Sequence, residues 1–127
     1  MHKGFLQAAA LLGVIAVAIG AFGAHGLKQY VSADTINVFE TGVRYQFYHA
    51  LALLAVGIIY EKFPVRWLIY AGNCFIIGII LFSGSLYALA ILRAADMSFD
   101  KIGIVTPLGG LFFIAGWLSL FIGMIRS

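Results

Sequence analysis

Apolar and polar positions separate along this chain into long blocks instead of short alternations. Gly4–Leu27, Tyr45–Tyr60, Trp67–Leu92 and Ile102–Ile125 contain no Asp, Glu, Lys or Arg. Continuous apolar runs of this kind argue against a membrane β-barrel, whose strands alternate polar and apolar residues. Each run is close to the ~20 residues with which a helix crosses about 30 Å of hydrocarbon. The pattern predicts an all-α integral membrane four-helix bundle, antiparallel and up-and-down. It forms a single transmembrane domain over residues 1–127, with spans near 4–24, 41–62, 67–92 and 103–125.

Local signals refine the ends. Pro64 disfavours helix at Phe63, so the second span should stop near Lys62 and, counting ~20 residues back, begin near Thr41. Arg44 then falls in its first turn. Between the first two spans, Ser32 or Asp34 can cap a helix on which Ile36, Phe39 and Val43 share a face, which predicts a short amphipathic interfacial helix. The third span rises about 39 Å if helical throughout, so it should tilt or protrude. Thr106 and Pro107 are expected in the first turn of the fourth, where proline is tolerated. Ala9, Gly13, Ala16, Gly20 and Ala24 form a small-residue stripe on the first span, and Ala115, Ser119 and Gly123 form another on the fourth.

Composition narrows the function classes. The chain has 127 residues, 63% hydrophobic and 10% charged, which excludes a soluble or disordered protein and leaves no room for an extramembrane domain. Its net charge of +3 comes from basic residues scattered singly, so no nucleic-acid partner is expected. The single cysteine, Cys74, cannot form an intrachain disulfide, and no metal-ligand spacing is present. Ala21–Ala24 loosely matches a signal cleavage site, but the apolar run before it is too long for a signal core. Four spans put both termini on one side. Lys3, Lys62, Arg66 and Arg126 on that side balance Lys28, Arg44, Arg93 and Lys101 on the other, so the basic residues set no orientation. Asp34, Glu40, Asp96 and Asp100 all lie opposite the termini, which favours cytoplasmic termini.

Up-and-down connectivity gathers the unusual residues in the membrane half opposite the termini. His25 ends the first span there. Arg44, Tyr45, Gln46 and His49 begin the second, Ser83 and Ser85 lie on the third, and Thr106 opens the fourth. Gly42, Tyr45, Gln46, His49 and Leu53 share a helical face that should point inward, because Gln and His are costly in lipid. These polar residues are the candidate ligand-binding set, with His49 expected to bond Ser83 or Ser85. Only one of these two serines should face inward, since positions two apart on a helix diverge. Gly20, Gly23, Gly84, Gly109 and Gly110 are the expected helix-packing positions. No catalytic set is legible, because no carboxylate lies within a span and no phosphate loop is present.

The motifs GAFGAHGL (20–27), TGVRYQFYHALAL (41–53), LFSGSLY (81–87), TPLGG (106–110) and GW (116–117) run in order along the chain. Through them the chain resembles the YgdD/YwdK family of small bacterial inner-membrane proteins, a domain-of-unknown-function family with small transmembrane relatives in animals. The resemblance implies four transmembrane helices in a bacterial plasma membrane, and no activity or cofactor.

Three functions fit these residues. The polar set could bind or pass a small molecule, ion or lipid headgroup. The motifs could instead serve helix packing in an assembly protein, as a homo-oligomer or in a larger membrane complex. Finally, His25 and His49 could ligate a haem, although the small residues around His25 are equally explained by packing.

Overall fold

The computed structural model describes residues 1–97 and 101–127. It contains four helices, each long and apolar enough to cross a membrane: α1 (Lys3–Leu27), α2 (Ala33–Ile59), α3 (Arg66–Ala94) and α4 (Ile102–Ile125). Contacts between the helix ends show the alternating direction. The His2 amide at the start of α1 donates to the Gly57 carbonyl at the end of α2, at 2.9 Å. Arg93, at the end of α3, donates to the Thr35 hydroxyl at the start of α2, at 3.1 Å. The Arg126 guanidinium after α4 lies 6.0 Å from the Trp67 ring at the start of α3.

The first turn of α1 is capped by His2, whose Nδ1 accepts the Phe5 amide at 3.0 Å. That of α2 is capped by Ser32, whose Oγ accepts the Thr35 amide at 3.3 Å. A cap side chain satisfies a backbone donor that has no partner inside the helix. The amphipathic segment after Ser32 is helical but does not form a separate interfacial helix; it continues without a break into α2. Nothing in that stretch stops propagation, since it holds no proline and Gly42 alone costs only about 1 kcal/mol. Its apolar face finds protein instead of a membrane surface. Ile36 and Phe39 are buried, and Phe39 packs with Ala24 of α1 and Ala90 of α3.

At its other end α2 closes at Ile59, a little before the expected Lys62. The Lys62 and Phe63 amides both bond back to the Ile59 carbonyl at 3.0 Å, so the turn is complete before Pro64. The end of α3 closes with Asp96 at φ 56° and the Met97 amide bonded to the Leu92 carbonyl at 2.8 Å. This is a left-handed closure that aspartate tolerates. Part of the loop expected over Arg93–Lys101, residues 98–100, lies outside the described residues. Helix α4 starts at Ile102, so Pro107 falls beyond its first turn, inside the helix. The carbonyl this frees belongs to Gly103, which is exposed.

The helices pack in chain order, α1 on α2, α2 on α3 and α3 on α4, so the second and third form the central pair. One cluster unites Phe5 and Ala9 of α1, Leu53 and Val56 of α2, Leu68, Ala71 and Phe75 of α3, and Phe113 of α4. Rings fill the spaces that missing side chains leave. Phe5 lies over Gly72, Phe113 over Gly78, and the Phe75 ring comes within 2.6 Å of where a Gly116 Cβ would stand. Helices α1 and α3 each contain one π-helical turn, at Ile19–Gly23 in the half opposite the termini and at Ile79–Ser83 in the middle of α3. A π turn adds a residue to the turn and rotates everything beyond it relative to what precedes.

Candidate functional site

The face of α2 that turns into the bundle carries a ladder of polar contacts. Gln46 is 2% exposed. Its Nε2 donates to the Leu12 carbonyl of α1 at 2.8 Å, and its Oε1 accepts the Tyr87 hydroxyl of α3 at 2.7 Å. One amide thus joins three helices with a donor and an acceptor. One turn nearer the helix start, the fully buried Ser83 donates to the Gly42 carbonyl at 2.6 Å. The absence of a Gly42 side chain lets the Tyr87 ring come within 2.9 Å of where its Cβ would stand.

His49 is 5% exposed and bonded at both ring nitrogens. Nδ1 stands 2.8 Å from the Tyr45 carbonyl, and Nε2 stands 3.1 Å from Trp117 Nε1. An indole nitrogen only donates and a carbonyl only accepts, so Nε2 accepts from Trp117 and Nδ1 carries the proton given to Tyr45. The Phe113 ring stacks on the imidazole at 3.6 Å and 7°. The partner of His49 is therefore Trp117 of α4, and not Ser83 or Ser85. Ser83 is engaged with Gly42. Ser85 donates to the Phe82 carbonyl at 2.8 Å and shares a hydrogen bond with Thr106.

Both serines are buried, contrary to the expectation that only one faces inward. Helix α3 has neighbours on two sides, so diverging directions are both interior: Ser83 meets α2 and Ser85 meets α4. The π turn ending at Ser83 sets how both are rotated relative to the first half of α3.

The structure thus buries Gln46, His49, Ser83 and Ser85 and gives each of them, and Thr106, a hydrogen-bond partner, whereas three other candidates are exposed. Arg44 is exposed and donates to the Thr41 hydroxyl at 3.2 Å, which itself donates to the Asn37 carbonyl at 2.8 Å. Tyr45 is 38% exposed, with its ring against Phe82 at 4.7 Å. His25 is exposed at the end of α1, so it does not join His49 in a ligand pair. Among the glycines, Gly109 meets the backbone of Phe82, and a Cβ on Gly20 or Gly23 would stand 3.0 Å from Val43 or Phe39. Gly84 and Gly110 have nothing within 4 Å and so are not packing positions within this chain.

Tyr87 and Trp117 belong to the contact set but were not among the candidates read from sequence. Tyr87 could have been found from its place one turn beyond Ser83. Trp117 had no such signal, because Ser119 and Gly123 of the small-residue stripe mark the inner face of α4 and Trp117, 47% exposed, lies beside that face.

Among the described residues no buried side-chain nitrogen or oxygen lacks a partner. The described cavities open on outer surfaces. A groove of about 510 Å³ between α1 and α2 is lined by Gly13, Val14, Val17, Ala18, Phe22 and Phe47. A smaller one of about 230 Å³ continues past Phe47 to Ala50 and Leu54.

The family described as "Protein of unknown function (DUF423)" matches residues 19–110. A UPF0382 membrane protein of Staphylococcus saprophyticus is 44% identical over 126 residues, covering 98% of each chain. A UPF0382 membrane protein of Haemophilus influenzae is 39% identical over 127 residues, covering 100% of this chain and 98% of its own. The UPF0382 inner membrane protein YgdD of Escherichia coli K12 is 39% identical over 118 residues, covering 93% of this chain and 86% of its own. No solved structure matches.

Proposed function

We propose, for a chain that belongs to the DUF423 family, that it is an assembly protein of the bacterial plasma membrane. In this reading Gln46, His49, Ser83, Ser85 and Thr106 lock the four helices into one arrangement, and the outer helix faces meet partners in the bilayer. One observation carries it: among the described residues every buried polar side-chain atom is already hydrogen-bonded inside the protein. A site awaiting a ligand would hold polar groups back for it, because leaving them unpaired in hydrocarbon costs several kcal/mol. Here the amide, imidazole and hydroxyls are all engaged, as interhelical hydrogen bonds in membranes are.

Native mass spectrometry of the full chain, released from its membrane in mild detergent, tests the proposal. The expected species is heavier than the 13.7 kDa chain by at least one protein subunit. A lone chain carrying a small molecule at the His49 ladder would overturn it in favour of ligand binding.

A further inference from the structure

Asn73 lies on the outer face of α3 and is exposed. Tyr70 (44% exposed), Ile77 (39%) and Ile80 (62%) flank it at the spacing of one helical face. Helix α3 has 29 residues and rises about 44 Å, so with its excess over ~30 Å of hydrocarbon shared between the two ends, Asn73, about 10 Å along from Arg66, falls just inside the hydrocarbon. Among the described residues, the side-chain hydrogen bonds between helices run through Gln46, Ser83, Ser85, His49 and Arg93, and the Asn73 amide is in none of them. A polar side chain in lipid is costly and normally turns toward protein. The fold points this one outward.

We infer that this face of α3 is where a second copy of the chain docks, the two Asn73 amides bonding each other across a twofold axis along the membrane normal. The inference rests on the assembly reading in taking outer helix faces as contact surfaces. The chemistry selects the occupant. An amide is both donor and acceptor, so a like amide completes it. Copies inserted in the same orientation bring α3 against α3 in parallel, and a twofold axis then sets residue 73 opposite residue 73 at one depth. Beyond Ile80, Gly84 has nothing within 4 Å of where its Cβ would stand, which leaves room for an approaching helix.

The test uses the full chain in liposomes, labelled with donor or acceptor dye at Ser127→Cys in a Cys74→Ser background. Energy transfer is followed as lipid dilutes the protein. The unsubstituted Asn73 chain should self-associate. Asn73→Leu should weaken association about tenfold, about 1.4 kcal/mol, and Asn73→Gln, which keeps an amide, should retain most of it. Melting in detergent, with the protein dilute enough to dissociate the chains, should be the same for all three, because among the described residues Asn73 bonds no other helix of its own chain. Association of Asn73→Leu equal to that of the Asn73 chain would overturn the inference, as would an Asn73 chain that stays monomeric. A heavier native species containing a different protein would sink this inference and leave the assembly reading standing; a lone chain would sink both.

Discussion

His49 spends both ring nitrogens inside the protein, one on its own helix and one on α4. This makes Trp117 a structural donor, although its ring is partly open to lipid. Trp117→Phe keeps an aromatic ring but leaves Nε2 buried without a partner, at a cost of about 1–3 kcal/mol. His49→Leu removes the acceptor and should also destabilise, through lost stacking on Phe113. If the two act as a pair, the double variant loses less than the sum of the singles, since replacing both partners by apolar groups removes the unmet bond. Unfolding titrations of the four proteins in mixed detergent check this, and strict additivity would show that the bond contributes nothing. The inward setting of Gln46 and His49 was legible from spacing along α2, because polar groups in a span seek protein. The partner was not legible. The stripe through Ser119 and Gly123 marks the buried face of α4, but nothing in it says that Trp117, at the edge of that face, reaches His49.

At the scale of elements, the helices and their order were readable from blocks of apolar residues, whereas two packing details were not. The segment Ile36–Val43 has the periodicity of a surface helix, and periodicity alone cannot say whether its apolar face meets lipid or another helix. Here it meets α1 and α3. Glycine spacing has the same ambiguity: Gly84 and Gly109 look alike in sequence, yet only Gly109 lies against another backbone. Gly109→Leu should therefore lower stability in detergent by about 1–3 kcal/mol, the usual cost of overpacking, because the Phe82 backbone cannot move aside as a side-chain end could. With the chains dissociated, Gly84→Leu and Gly110→Leu should melt within ~0.5 kcal/mol of the parent, as surface changes do. A strong loss at Gly84, with none at Gly109, would mean that α3 and α4 meet on other faces.

For the whole molecule, helix order fixes that both termini share a side but not which side. The basic residues are tied, so the usual orienting rule is silent. Acidic residues break the tie: among the described residues Asp34, Glu40 and Asp96 lie opposite the termini, and Glu61 lies with them. Acids contribute little singly, yet nothing opposes them here, so the expected orientation has cytoplasmic termini. Single cysteines in a Cys74→Ser background, treated in intact cells with a membrane-impermeant maleimide, read this directly. Tyr30→Cys and Lys101→Cys, both exposed in the far-side connections, should label. Ser127→Cys should label only after the cells are broken. Labelling of Ser127→Cys alone in intact cells would invert the orientation but keep the fold. Labelling that separates Tyr30→Cys from Lys101→Cys would break the up-and-down connectivity, and with it the common depth that brings α2, α3 and α4 together around His49.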